Sequence, residues 1–175
     1  MRAVVVYESM YGNTRAIAEA IGSGLRPTYD VSVVTVGQAR PEMLDDVELL
    51  IVGGPTHVWS MSRARTRQSA AAAAEKPGSG LALEPDAIDI GLREWFELLG
   101  RRSGRAAAFD TRIDAPPMVT GRASRPIGRR LQRHGYELAA RPESFLVTKR
   151  NTLVAGEVER ARAWAAGLAS TLHTV

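Results

Sequence analysis

The amino-acid sequence predicts an α/β protein built on an open, doubly wound parallel sheet of five strands. Short β-branched runs alternate along the chain with amphipathic helical stretches, as in parallel βαβ units. A chain of 175 residues is also short for an eight-stranded barrel, which needs about 250. Hydrophobic residues make up 45% of the chain and charged residues 24%, which is typical of a globular protein. We therefore expect a single domain over residues 1–175.

The first three strands are predicted from short apolar runs. Residues 3–7, 31–36 and 47–52 are each rich in Val, Ile or Leu, as in strands that are buried on both faces of a parallel sheet. A helix is predicted between the first two runs, with its apolar residues on one face: Ile17, Ile21 and Leu25. Strand, helix and strand in this order predict a parallel crossover.

The second half of the chain continues the alternation. Residues 106–109 predict a fourth strand, preceded by a helix over residues 92–99, and residues 145–148 predict a fifth strand. Ser124 is the expected N-cap of a short basic helix. The last helix is expected to begin near Gly156, where apolar residues start to recur at spacings of three and four.

Positive charge is concentrated in one part of the chain. The formal net charge is +4, yet residues 101–150 contain twelve Arg or Lys and only four Asp or Glu. We therefore expect one basic surface, which suits an anionic partner. Arg129, Arg130 and Arg133 are spaced as the outer side of one helix, and this arrangement favours a solvated face over a nucleic-acid site.

The residue types that are scarce exclude several kinds of chemistry. The chain contains no cysteine, so disulfides, thiolate nucleophiles and Cys-ligated centres are excluded and any redox chemistry needs a bound cofactor. The three histidines, His57, His134 and His173, are too scattered to suggest a metal site. The initial apolar run meets Glu8 at once, unlike a signal peptide, and no run approaches the roughly 20 residues of a membrane span. We expect a cytoplasmic protein without membrane insertion.

Residues 68–80, QSAAAAAEKPGSG, have a biased composition. An Ala-rich helix end is followed by Pro, Gly and Ser, as in a connector. We expect a surface excursion within one domain rather than a domain boundary. A mobile cover over a binding site is a second interpretation, because the segment follows the third strand at the predicted ligand edge.

The loop after the first strand, ESMYGNT, has the composition of a phosphate site. Ligands of open parallel sheets bind beyond the carboxyl ends of the strands. Ser9, Asn13 and Thr14 offer neutral donors there, Gly12 permits a tight turn, and a helix N-terminus favours an anion. An ordinary helix cap with a glycine turn explains the same residues equally well. The loop lacks both the GK[ST] of a P-loop and the three glycines of a dinucleotide fingerprint.

Together with the segment after the third strand, this loop resembles the flavodoxin family. The resemblance rests on VVVYESMYGNTRAIAEAI and LLIVGGPTHVWSMS, and the order of strands and helices agrees over nearly the whole chain. It implies a flavodoxin-like fold with strand order 2-1-3-4-5 and FMN as the cofactor. The SMYG part of the loop is similar to that of flavodoxin-like NAD(P)H:quinone oxidoreductases. The residues that the resemblance places around the FMN phosphate are Ser9, Met10, Tyr11, Gly12, Asn13 and Thr14.

The resemblance also implies two loops around the flavin ring. The residues of the second loop are Pro55, Thr56, His57, Val58 and Trp59. His57 and Trp59 are alternative rings to cover the flavin, and an ordinary core position is a further interpretation of Trp59. The residues expected at the ring edge in the third loop are Asp110, Thr111 and Arg112, or else these residues form a solvated loop. No aromatic residue follows in that loop, so one flavin face is expected to be open to a substrate.

The function that the resemblance implies is electron transfer between a reduced donor and a quinone or protein acceptor. An FMN-dependent NAD(P)H:quinone-type oxidoreductase and a non-enzymatic electron shuttle both agree with the sequence, and they differ in whether NAD(P)H is oxidised. A third interpretation is a cofactor-free flavodoxin-like scaffold that acts through its basic face. The sequence alone does not choose among the three.

Overall fold

The computed structural model describes residues 1–173 as a six-stranded sheet with helices on both of its faces. The strands are β1 (Arg2–Tyr7), β2 (Asp30–Thr35), β3 (Leu49–Pro55), β4 (Arg105–Ile113), β5 (Glu137–Leu138) and β6 (Glu143–Val147). The helices are α1 (Asn13–Leu25), α2 (Ala64–Ala74), α3 (Leu92–Leu98), α4 (Pro117–Thr120), α5 (Ser124–Arg133) and α6 (Glu157–His173), and Pro41–Leu44 form a 3₁₀ turn. Each predicted strand and helix is present.

The strand order β2-β1-β3-β4-β5 confirms the predicted doubly wound parallel sheet. The structure adds a strand at the edge beside β4. The two residues of β5 pair with Arg105 and Ala106, at the start of β4. The predicted fifth strand, β6, pairs with β4 from Phe109 to Ile113. The fifth position of the sheet is therefore shared by two short strands, of which β6 reaches the carboxyl edge.

Alternate residues of the central strands face two separate hydrophobic cores. On one face Val5 and Ala107 belong to the core that includes α1 and α6. On the other face Val4 and Ala108 belong to the core that includes α3 and α5. This alternation follows from the strand geometry, in which successive side chains point to opposite faces.

Two strands extend further toward the carboxyl edge than the sequence predicts. Gly54 pairs with Asp110 and Pro55 with Thr111 in the register of β3 and β4, so residues predicted to lie in loops belong to strands. Gly53 of β3 lies against a core side chain. A Cβ on Gly53 would lie 2.2 Å from the Phe109 ring, so this glycine is required by packing within the core.

The predicted N-cap role of Ser124 is wrong. Ser124 is the first residue of α5, and Ala123 precedes it in the cap position. The backbone N–H of Ser124 donates to Oδ2 of Asp110 at 2.7 Å. A carboxyl group of β4 therefore accepts a hydrogen bond from a free N–H at the start of α5. The two residues are fourteen positions apart, so local sequence signals do not predict this contact.

The predicted surface excursion comprises α2 and the loop that follows it, and both contact the first loop. The Tyr11 hydroxyl donates to the Ala70 carbonyl at 2.8 Å. The Glu84 N–H donates to the Met10 carbonyl at 2.8 Å, and the Met10 side chain is buried in a small cluster with Ala70 and Ala87. These contacts favour a fixed side wall of the first loop over a mobile cover.

Candidate functional site

A cleft of about 190 Å³ opens at the carboxyl edge of the sheet. It is smaller than the roughly 300–1,000 Å³ that is usual for small-molecule sites. Residues from all three predicted loops line it: Met10, Tyr11, Asn13, Thr14, Pro55, Thr56, His57, Thr111 and Arg112. Three further residues that the sequence did not single out also line it: Ile113, Val147 and Asn151. The predicted residues outside the lining are Ser9, Gly12, Val58, Trp59 and Asp110.

The first loop arranges uncharged donors at the start of α1. Gly12 has a φ of 92°, a left-handed conformation that favours glycine, and its N–H donates to Ser9 Oγ at 3.2 Å. The Arg15 N–H donates to the same oxygen at 3.4 Å. Within residues 1–173, the N–H groups of Asn13 and Thr14 have no hydrogen-bond acceptor. The start of α1 therefore offers two free amides at the positive end of a helix dipole.

Two side-chain pairs join the first loop to β4 and to the segment after β6. The hydroxyl oxygens of Thr14 and Thr111 are 2.7 Å apart and buried. Asn13 Nδ2 donates to Oδ1 of Asn151 at 2.9 Å and to its carbonyl at 3.1 Å. Asn151 adopts a φ of 60°, which Asn tolerates better than most residues. The local sequence around Asn151 indicates only a turn, because its hydrogen-bond partner Asn13 lies 138 positions away in the chain.

The second loop ends in a tight turn between His57 and Ser60. The His57 N–H donates to the Ser60 carbonyl at 2.7 Å, and the Ser60 N–H returns a bond of 3.1 Å. The residues between them, Val58 and Trp59, have positive φ values of 43° and 73°, a geometry that usually takes Asn or Gly. Their side chains are 81% and 65% exposed. Trp59 is therefore not a core residue.

The two rings of the second loop have different surroundings. His57 lines the cleft, whereas Trp59 lines a separate groove beside it. Burial lowers the pKa of His57, and the positive charge of Arg67 lowers it further. The imidazole is therefore neutral at pH 7, since its ordinary pKa of about 6.5 is already below that pH.

A buried polar network connects the second loop to β1, α2 and α3. Glu8, directly after β1, accepts hydrogen bonds from the Ser62 hydroxyl and, at 2.9 Å, from the Leu92 N–H at the start of α3. Arg67 of α2 donates to Ser62 Oγ at 3.2 Å and pairs with Glu94 at 3.2 Å. Burial raises the pKa of Glu8, while the hydrogen bonds from Ser62 and Leu92 and the Arg67 charge oppose the rise. The network ties α2, α3 and the second loop to β1.

The third loop divides between the cleft and the protein interior. Thr111 and Arg112 line the cleft, and Arg112 Nη1 also donates to the Ala115 carbonyl at 2.7 Å. Asp110 is wholly buried, and burial raises its pKa against the hydrogen bonds from Ser124. This placement differs from the expected contact with a ring edge, because the Asp110 carboxyl caps α5 instead.

Residues 5–79 match the family model described as Flavodoxin. This range contains both the first loop at the cleft and the second. This part of the chain is therefore similar in sequence to the flavodoxin family. Members of this family bind FMN and transfer electrons to redox partners. A search of curated protein sequences gave no match.

Solved structures of flavodoxins and of longer flavoproteins share the fold of this chain. Flavodoxin 1 from Bacillus cereus is 19% identical with a TM-score of 0.66, over 97% of this chain and 98% of that one. A flavodoxin, WrbA-like protein from Agrobacterium tumefaciens is 19% identical with a TM-score of 0.58, over 99% and 98%. The flavodiiron protein from Giardia intestinalis is 19% identical with a TM-score of 0.61, over 97% of this chain and 35% of its own. At these identities the likeness shows the fold alone.

The described residues contain neither a cluster of metal ligands nor a membrane-spanning helix. No group of three or more His, Cys, Asp or Glu in residues 1–173 is placed to hold a metal ion, and the His173 side chain lies outside the described part. Among the same residues, every helix is too short or too polar to cross a bilayer.

Proposed function

We propose that this chain holds FMN in the cleft and passes electrons between a reduced donor and a quinone or protein acceptor. The observation that carries the proposal is the pair of free amides at the start of α1, beside the Thr14 hydroxyl. These donors fit a phosphate group, because an anion at a helix N-terminus is favoured by the amides and by the helix dipole. The FMN phosphate is assigned to the residues from Ser9 to Thr14.

The residues of the first loop act by donating hydrogen bonds. A threonine hydroxyl has one hydrogen to donate; if Thr111 donates to Thr14, then the Thr14 hydrogen remains for the phosphate. Ser9 lies outside the cleft lining and acts indirectly, because its oxygen holds the N–H of Gly12 and fixes the turn. The Asn13–Asn151 pair holds the loop at a set distance from β6.

The flavin ring is assigned to the space between the second loop and the start of the third. FMN supplies the electron-transfer chemistry when bound, and the protein orients and tunes it. Thr56 is a rigid support for the ring, since its N–H donates to the Thr111 carbonyl at 2.8 Å and its Oγ1 accepts from the Ala123 N–H at 3.0 Å. His57 is the preferred cover for the ring, because it lines the cleft and Trp59 does not.

Thr14→Val is expected to lower FMN affinity at least several-fold, because one hydrogen bond to a charged group contributes about 1.5–3 kcal/mol. Fluorescence titration of the apoprotein with FMN measures the change. The matched control is Thr28→Val, since Thr28 follows α1 at its other end. Thermal unfolding of both apoproteins separates binding from stability. Equal FMN affinity of Thr14→Val and wild type would contradict the assigned phosphate site.

Arg112→Gln is expected to make the midpoint potential of bound FMN more negative by about 20 mV. A positive charge at the cleft favours the anionic reduced cofactor by roughly 1 kcal/mol at solvent-exposed separations, and 30 mV corresponds to about 1.4 kcal/mol for two electrons. A spectroelectrochemical titration at low salt measures the shift. Arg26→Gln, at the far end of α1, should leave the potential unchanged. A shift of the opposite sign for Arg112→Gln would refute the argument.

An enzymatic and a non-enzymatic role within this proposal are separated by one absorbance measurement. Bleaching of the flavin band after NADPH is added supports an NAD(P)H:quinone-type oxidoreductase. A flavin that NADPH does not reduce, but that exchanges electrons with a redox protein, supports a shuttle. A chain that cannot be loaded with FMN supports the cofactor-free scaffold. We also propose that residues 1–175 form one flavodoxin-like domain and that the protein is cytoplasmic.

A further inference from the structure

We propose that a basic groove beside the cleft docks the acidic face of a redox-partner protein. We name it the arginine groove, and the residues that characterise it are Trp59, Met118, Arg122, Arg125 and Arg129. The proposal rests on the proposed function, because it names the kind of partner that exchanges electrons at the same cleft. Its occupant is a protein whose surface carries carboxylates around its redox centre.

The charge of the arginine groove is unbalanced. No Asp or Glu of the described chain lines it, and within residues 1–173 no ion pair involves Arg122, Arg125 or Arg129. The Asp110 carboxyl of the neighbouring strand β4 is buried and accepts a hydrogen bond from the start of α5. Arg125 and Arg129 are exposed and can meet carboxylates of a partner, whereas Arg122 is half-buried at the edge of the groove.

The positive surface continues beyond the groove. Arg63 and Arg93 line one groove beside His57. Burial lowers the pKa of Arg93, and the positive charges of Arg63 and Arg130 lower it further. Arg93 donates to the carbonyl of Ser62 at 2.9 Å and to Ser60 Oγ at 3.2 Å. The second loop is thus bordered by arginines on this side. Like charges in one area produce a field that attracts an oppositely charged protein and increases its association rate.

Exposed apolar side chains lie beside these arginines. Val58 is 81% exposed, Trp59 65%, Met118 87% and Val119 62%. The turn that carries Val58 and Trp59 forms a β-bridge with Gly121. This pair of apolar residues therefore lies next to the pair formed by Met118 and Val119. Trp, Met and Arg are the side chains that are enriched in protein interfaces, where acidic residues and Lys are depleted. A small phosphate ligand would use the arginines and leave the apolar residues in water.

The arginine groove is also close enough to the cleft for electron exchange. Thr56 lines the cleft, and its hydroxyl accepts a hydrogen bond from Ala123, the residue after Arg122. A partner seated on Arg122 and Trp59 therefore covers the side of the cleft assigned to the flavin ring. In each transfer one electron leaves the reduced flavin and one oxidised centre of the partner is reduced by it.

Two forms of cytochrome c test the proposal with the same haem and opposite surface charge. Native cytochrome c is basic, and succinylation converts its lysines into carboxylates. FMN-loaded protein is first reduced by light with EDTA, and stopped-flow absorbance then follows haem reduction between about 10 and 300 mM salt. We expect the succinylated form to react at least about tenfold faster at low salt, and the difference to vanish at high salt as the charges are screened.

Two triple variants separate the arginine groove from the overall charge of the protein. Arg122→Gln with Arg125→Gln and Arg129→Gln should slow reduction of succinylated cytochrome c about tenfold or more at low salt. The control, Arg26→Gln with Arg101→Gln and Arg162→Gln, removes the same charge from exposed sites elsewhere and should change the rate less than about twofold. Equal losses in the two triples, or faster reaction of native cytochrome c, would overturn the proposal.

Calorimetry provides a readout that does not depend on electron transfer. Oxidised wild-type protein, with FMN or as the apoprotein, should bind succinylated cytochrome c at 10 mM salt, and the groove triple should bind it at least about tenfold more weakly. Absent flavin absorbance would refute the FMN site, while the apoprotein titration still decides the docking. Displacement of the cytochrome by an equimolar single-stranded oligonucleotide would assign the groove to nucleic acid and refute a protein partner.

Discussion

Arg67→Met is expected to lower the free energy of unfolding by about 1–3 kcal/mol, the usual cost of leaving buried polar groups without a hydrogen-bond partner. Arg67 is only 3% exposed. Its guanidinium contacts both Ser62 and Glu94 and lies near Glu8. Methionine fills similar space without charge, so the loss measures uncompensated carboxylates rather than a cavity. Chemical denaturation of the apoprotein at pH 7 gives the free energy.

The size of this loss should depend on pH. Without Arg67 the pKa of Glu8 in the folded protein rises further above its value in the unfolded chain. A group with a raised pKa contributes stability at pH values below its unfolded pKa, and that contribution is lost as pH rises through the folded pKa. The deficit of Arg67→Met should therefore be smaller at pH 5 than at pH 8.

The control for this prediction is Arg65→Met on the same helix. Arg65 is exposed, and exposed substitutions away from special contacts usually change stability by no more than about 0.5 kcal/mol. A similar loss for both variants would assign the effect to helix α2 itself. A loss below about 1 kcal/mol for Arg67→Met would show that the network does not support the second loop.

The sheet was predictable from sequence because its signal is local. The apolar runs of β1 and β3 mark strands that are buried on both faces, and right-handed crossovers restrict how the strands connect. The same expectation for β2 is wrong, because β2 is the edge strand and has no fully buried residue. The added strand β5 has two residues, too few for any periodic pattern. The longer β4 depends on the register that pairs Pro55 with Thr111, which is a property of the assembled sheet.

The candidate site was predictable where one loop carries the chemistry. The segment from Ser9 to Thr14 combines glycine, hydroxyls and a helix start within six residues, and the structure brings Thr14 to the cleft. Asn151 and Arg67 were missed, because each acts through partners that the fold brings from distant segments. Asp110 was expected at a ring edge because the sequence of the third loop does not indicate its hydrogen-bond partner, which is the start of α5.

Wild-type apoprotein is expected to bind FMN at least about 100-fold more tightly than riboflavin, which lacks the phosphate. In the described part of the chain the amides of Asn13 and Thr14 are two donors without acceptors, and two charge-assisted hydrogen bonds contribute roughly 3–6 kcal/mol together. A tenfold change corresponds to about 1.4 kcal/mol, so this gain gives a ratio of roughly 10² to 10⁴. Fluorescence titrations with the two ligands measure the ratio.

Arg15→Gln decides whether uncharged groups or a cation produce this preference. The Arg15 guanidinium is 3.4 Å from Glu84 and more than half exposed, so it is already paired away from the free amides. If neutral donors bind the phosphate, Arg15→Gln keeps the FMN-to-riboflavin ratio within about threefold of wild type, whereas Thr14→Val lowers it. A ratio that collapses in Arg15→Gln, or a wild-type ratio near one, would show that the start of α1 does not bind the phosphate in this way.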